Sequence, residues 1–287
     1  MRFVAYKNKG NADPRSAAMG VLLGEQVAPL AALDAFYADI DSYRRQAAQE
    51  ASPSLALSDL ELAVPVPLSA KVICVAINYR KHGAEANLPT PTFPNLFARW
   101  TAELVADGTP VPVPVAEPDG LDWEVELAAI VGATLTDVDL ATAQAGIFGY
   151  TVANDISGRA AQLQSATLST GQWGLGKNVE KSGAVGSLIT TADAVDERAL
   201  ALKTVVDGET MQSGSTADMV FSAADIIAFA SRHITLRPGD LIMTGTPDGV
   251  GLGRNPRIYM KPGSRVTASI AGICSITNPI VDASHRG

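Results

Sequence analysis

Apolar positions along this chain fall mostly into short runs broken by Gly, Pro and polar residues, which is the pattern of strands rather than long helices. Strands are predicted at Arg2–Tyr6, Met19–Leu23 and Gln26–Leu30, and the amphipathic stretch Leu33–Glu50 reads as helix. The Pro-rich connection Val64-Pro65-Val66-Pro67 favours extended backbone and marks a boundary. It separates a small N-terminal cap or packing domain, 1–69, from a second domain, 70–287. Beyond it a strand is predicted at Lys71–Ile77, a short run at Asn95–Trp100, and an apolar run Leu127–Val131 ending at Gly132. A short helix at Leu140–Ala145 and a strand at Gly146–Ala153 follow, then Ser157, placed to cap a helix carrying Arg159 and Gln162. Downstream, Leu200–Val206 runs into Asp207-Gly208, a type I′ hairpin signal. Ser222 with Asp225 opens a helix that ends near His233, where that histidine packs or caps. Strands at Leu241–Thr244, Arg265–Ala271 and Ile273–Thr277 complete an α+β, mostly β, chain.

The stretch Asp122-Trp123-Glu124-Val125-Glu126 breaks the pattern. Alternation along a strand sends Glu124 and Glu126 to one face and Trp123, Val125 and Leu127 to the other. Two adjacent carboxylates entering a buried strand repel and lose hydration, so a positive partner is expected. A hard divalent cation with oxygen ligands fits that need, and a wet acidic strand face is the plain alternative.

Composition narrows the classes. The chain has 287 residues, 47% hydrophobic and 18% charged, as in an ordinary globular protein. The formal charge of −8, with no Lys/Arg cluster, argues against a nucleic-acid partner. No apolar run is long enough for a membrane span and no signal-peptide pattern is present, so a cytoplasmic protein is expected. Cys74 and Cys274 sit in apolar runs and read as core thiols without a disulfide.

Several chemistries drop out. There is no G-x-S-x-G elbow, no zinc spacing of Cys and His, and no G-x-G-x-x-G opening a βαβ unit. Gly171-Gln172-Trp173-Gly174-Leu175-Gly176-Lys177-Asn178 approaches a phosphate-loop pattern, but Leu163–Thr170 before it is too polar for the buried strand such a loop follows. A lysine presented by a glycine-rich loop toward an anionic substrate is the better reading. His82 and Glu85, three apart on a helical turn, form a pair suited to general acid/base work. With Glu124, Glu126 and Asp155 the remaining chemistry is carboxylate-rich and suits Mg²⁺ or Mn²⁺.

These residues carry a resemblance. From about Val72 to Pro279 the chain resembles the fumarylacetoacetate hydrolase superfamily. The matching pieces are Asn78-Tyr79 with His82 and Glu85, Asp122 to Leu127, Gly149-Tyr150-Thr151 and Asn154 to Arg159. They continue with Gly176-Lys177, Val206 to Glu209 with Gln212, Pro238-Gly239-Asp240, and Gly245-Thr246-Pro247 with Gly249-Val250-Gly251. The resemblance implies a mixed β-sandwich roll, a homodimer, and a divalent metal held by Glu124, Glu126 and Asp155. It implies a small 2-oxo or β-diketo acid substrate contacted by Tyr79, Arg159, Gln162 and Thr246. The reaction it implies is C–C hydrolysis of an acylpyruvate such as fumarylpyruvate, of the kind met in aromatic-compound catabolism, through a metal-stabilised enolate. His82 and Glu85 would activate water and Lys177 would stabilise oxyanion charge. Oxaloacetate-type decarboxylation or enol–keto isomerisation would use the same site, and a catalytically idle ligand-binding homologue is the alternative of another class. The chain departs from the family at Ala160, where a carboxylate is usual after the arginine. It departs again at Arg99, where a lysine is usual, and around Gly183–Ser187, where prolines are usual.

Overall fold

The computed structural model describes residues 1–164 and 171–285. Its largest unit is a mixed sheet of thirteen strands. The main path runs Leu55–Ala56, Gln26–Ala32, Ala18–Leu23, Arg2–Asn8, Leu188–Thr191, Ile147–Asp155, Val125–Val131, Leu241–Met243, Val72–Ala76 and Asn95–Arg99. A second, five-stranded sheet is ordered Glu209–Ser215, Ala201–Val206, Arg265–Ile270, Cys274–Asp282 and Val111–Val113. Neither sheet closes on itself.

The strand Val125–Val131 is buried throughout, and its alternation builds two separate cores. Val125, Leu127, Ala129 and Val131 pack with Leu202, Val266, Ala268 and Ile276 of the second sheet. Ala128 and Ile130, on the opposite face, pack with Phe3, Met19, Phe36 and Phe148. Phe3 and Phe148 meet at 5.2 Å between ring centroids, which ties the first strand of the chain to the centre of the sheet. The N-terminal strands continue that sheet, because Arg2, Phe3 and Val4 pair antiparallel with Thr190, Ile189 and Leu188.

Most elements lie where the sequence places them, with three informative differences. The stretch Leu33–Glu50 is two helices, Leu33–Ala38 and Ile40–Glu50. The break is at Asp39, whose side chain leaves the helical pattern to accept from the Ser42 N–H and cap the second helix. Ser157 does not cap the helix Arg159–Leu163; its Oγ donates to the Asp155 carbonyl instead. The final strand runs on to Asp282. Asp207 and Gly208 take φ of 51° and 87°, as a type I′ turn requires, and Ser222 and Asp225 form a full capping box. Cys74 and Cys274 are both free. Of the polar stretch 163–170, residues 165–170 lie outside the described residues. Among the described residues, no helix is long and apolar enough to cross a membrane.

Candidate metal centre

Sheet register assembles the carboxylates. Val125 pairs with Asn154 and Glu126 with Ala153 in the antiparallel ladder, so Glu124 falls opposite Asp155. The Asp155 N–H donates to the Glu124 carbonyl at 2.9 Å, and the Glu124 N–H donates to Asn154 Oδ1 at 2.9 Å. Residues facing across a ladder share a face, as do residues two apart along one strand. Glu124, Glu126 and Asp155 therefore converge, and one carboxylate oxygen from each lies within 4.8 Å of the other two.

Three cations surround them. Lys177 Nζ donates to Glu124 Oε2 at 2.7 Å and to Asp155 Oδ2 at 2.6 Å. Arg159 donates to Glu124 Oε1 at 2.6 Å and through Nε to Asp122 Oδ2 at 2.8 Å. Arg99 pairs with the other oxygen of Asp155 and reaches the Ser182 hydroxyl and the Ile156 carbonyl. All of these groups are buried. Lys177, read from sequence as aimed at a substrate, has its ammonium on the protein's own carboxylates.

Four carboxylates (Asp122, Glu124, Glu126 and Asp155) thus share three cations (Arg99, Arg159 and Lys177), leaving one negative charge in excess. That excess falls on Glu126, which accepts from the Gly245 N–H at 2.8 Å. Burial, joined by the charges of Asp155 and Glu124, pushes the Glu126 carboxyl well above the usual range. Burial works the same way on Glu124, but Lys177 and Arg159 outweigh it and hold that carboxyl at about 2. Burial also disfavours the charged Lys177, and Asp155 and Glu124 overcome it, so its pKa is raised. Three converging carboxylates with one uncompensated charge fit a divalent ion that takes oxygen ligands. The Tyr79 hydroxyl fits the same picture, being buried without a hydrogen-bond partner. Burial, then the charges of Glu126 and Asp218, push its pKa up.

The remaining residues frame this centre. His82 Nδ1 and Glu85 Oε2 are 3.1 Å apart on the helix Arg80–Glu85. Glu85 also accepts from the Gly249 N–H at 3.1 Å, at a glycine whose φ of 94° lets the loop turn toward it. His82 is close enough for its charge to help lower Glu124, which links the pair to the carboxylates. Arg159 Nη1 donates to Gln162 Oε1 at 2.5 Å. Thr246 Oγ1 donates to the Val125 carbonyl and accepts from Gln212 Nε2, both at 2.8 Å, so its hydroxyl anchors the glycine loop to the strand. An aromatic wall stands beside Lys177: Phe97 lies 5.4 Å from Nζ and meets Trp173 at 5.2 Å.

Two buried carboxylates with non-local partners were given no role from sequence. Asp122, left outside the ligand set, is the hub that seats Arg159, and it accepts from Gly251 N–H at 2.6 Å and Leu252 N–H at 3.0 Å. Removing one partner of a buried pair costs about 3–5 kcal/mol. Thermal and denaturant unfolding of Asp122→Ala should show a loss of that size. Glu117 is the second; nothing in its proline-rich surroundings signals a role, because its partners lie more than forty positions away.

The Glu85 carboxyl carries a pH signature. Burial raises it, yet hydrogen bonds from His82 and Gly249 outweigh burial and leave it lowered. A lowered carboxyl contributes stability above its unfolded value of about 4.3 and loses it as pH falls through the folded value. Melting curves from about pH 6 to about pH 3 should therefore show a smaller acid-side loss of Tm in Glu85→Gln than in the wild type.

The fumarylacetoacetate (FAA) hydrolase C-terminal family matches residues 71–281, and the chain belongs to that family. It is 36% identical over 241 residues to human oxaloacetate tautomerase FAHD2A, mitochondrial, covering 84% of this chain and 76% of that protein. The fold superposes on 2-hydroxyhepta-2,4-diene-1,7-dioate isomerase from Mycobacterium marinum with TM-score 0.75 and 30% identity, covering 99% of each chain. It also superposes on maleylpyruvate hydrolase from Sphingobium sp. SYK-6, in complex with manganese(II) and pyruvate, with TM-score 0.78 and 26% identity, covering 98% of this chain and 99% of that one.

Proposed function

We propose that this protein is a divalent-metal-dependent hydrolase that cleaves a C–C bond in a small acylpyruvate-type acid. The carrying observation is the His82–Glu85 pair, intact at 3.1 Å and within electrostatic reach of Glu124. Glu124, Glu126 and Asp155 would hold Mg²⁺ or Mn²⁺, and the presence of manganese in a structural neighbour supports a metal in this fold. The ion would supply a Lewis acid that polarises the 2-oxo group of the substrate.

The chain's own groups supply the rest. Glu85 orients His82 through Nδ1, leaving Nε2 free to take a proton from water. The water oxygen adds to the distal carbonyl, and the C–C bond to the pyruvate fragment breaks. Its electron pair goes to the pyruvate C3, which receives the proton from His82, and the distal carbon leaves as a carboxylic acid. Lys177 balances negative charge that develops beside Glu124 and Asp155. Tyr79, whose hydroxyl lacks a protein partner, is a donor for the substrate, with Arg159, Gln162 and Thr246 as the other contacts inferred. The Phe97–Trp173 wall offers an apolar surface to its distal part. A homodimer in the cytoplasm completes the reading, the free thiols being in keeping with a reducing compartment.

A second reading is favoured by the tautomerase relative: enol–keto isomerisation of oxaloacetate, in which the same pair moves a proton without admitting water. Product analysis separates them. Incubation with acetylpyruvate and Mn²⁺ should release acetate and pyruvate, and chelator should stop it. Accelerated oxaloacetate ketonisation with no acid released from any acylpyruvate would favour the second reading.

A further inference from the structure

The helix Arg159–Leu163 has only five residues, and no side chain of its own caps it. Such a helix leaves its first N–H groups without internal partners. Glu117 supplies them from a distant loop. Its Oε2 accepts from the Ala160 N–H at 2.7 Å and its Oε1 from the Ala161 N–H at 2.9 Å, while the residue is 3% exposed. The approach depends on Gly158, where a Cβ would stand 2.6 Å from Glu117 Oε1. A carboxylate at a helix start is also favoured by the helix dipole.

The turn held in this way carries both cationic supports of Glu124. Arg159 is its first residue. Lys177 hangs from the adjoining segment, since the Gly158 N–H donates to the Gly176 carbonyl at 2.8 Å and Gly176 packs against Gln162 so closely that a Cβ there would meet it at 2.5 Å. We propose that Glu117 is a positioning residue for the carboxylate centre: by fixing the first turn of Arg159–Leu163 it sets Arg159 and Lys177 against Glu124. It touches neither substrate nor ligand set and acts through these two cations. The inference rests on the reading of Glu124, Glu126 and Asp155 as a metal site.

The test compares Glu117→Ala, Glu117→Gln and Asp139→Ala with the wild type in Mn²⁺ titration, kcat, KM and Tm. Asp139 caps the remote helix Leu140–Ala145 by accepting from the Thr142 N–H, so its loss reports a missing cap and nothing more. Loss of a group that orients ligands costs about 10–100-fold in metal affinity or activity. Glu117→Ala should lose on that order in Mn²⁺ affinity and in kcat/KM. Glu117→Gln, which keeps one oxygen acceptor, should fall between it and the wild type, and Asp139→Ala should lower Tm alone. If Glu117→Ala does not fold, Glu117→Gln carries the test. Wild-type affinity and kinetics in either Glu117 variant, with only Tm reduced, would overturn the proposal. Wild-type Mn²⁺ binding reports on the site itself and only the variant differences report on Glu117, so the two ideas fail separately.

Discussion

Replacing Glu126 by glutamine is expected to abolish divalent-metal binding while leaving the metal-free protein at least as stable as the wild type. Glu126 is the carboxyl of the centre with no ion-pair partner among the described residues, and burial with its neighbours' charges disfavours its ionised form. Glutamine keeps an oxygen for the Gly245 N–H, removes the repulsion and removes an anionic ligand. Lewis-acid stabilisation is worth several kcal/mol, so turnover should fall by roughly a thousandfold or more. Glu124→Ala should lose metal as well, but with a different stability result. It strips a partner from both Arg159 and Lys177, and breaking a buried pair costs about 3–5 kcal/mol. Calorimetric titration and melting of the two variants, side by side, read the contrast directly.

His82→Gln should separate chemistry from metal binding. General acid–base transfer contributes about 10²–10⁴-fold, and His82 lies outside the carboxylate triad. The variant should lose acylpyruvate hydrolysis on that order while its Mn²⁺ affinity stays close to wild type. Glu85→Gln should lose less, because the imidazole stays in place and only its orienting partner is weakened. Hydrolysis that survives His82→Gln would move the water-activating role elsewhere and remove the main support for a hydrolase over a tautomerase.

What could be read from sequence was what depends on local periodicity. The alternation from Trp123 to Leu127 placed two glutamates on one face and the apolar residues on the other. The structure keeps that division, with Val125 and Leu127 in one core and Ala128 and Ile130 in another. The three-residue spacing of His82 and Glu85 was enough to place them in contact. What escaped was non-local. Lys177 reads from its glycine loop as a substrate group, and only the tertiary fold shows its ammonium between Glu124 and Asp155. Ser157 has the right type and position for a cap, yet the Asp155 carbonyl takes its hydroxyl and Glu117 caps from forty residues away. Arg99, noted as an exception to the family's lysine, holds Asp155 as an ion pair. For Lys177, Arg99 and the helix cap supplied by Glu117, a long-range partner absent from any local window decides the outcome, whereas Ser157 is diverted by a carbonyl two residues back.

Glu124, Glu126 and Asp155 are proposed to hold a divalent cation, and Mn²⁺ titration followed by electron paramagnetic resonance reads that ligand set. One Mn²⁺ per chain should bind to the wild type, displaced by Mg²⁺, and none to Glu126→Gln. Undiminished Mn²⁺ binding in Glu126→Gln, or no specific binding by the wild type, would contradict it.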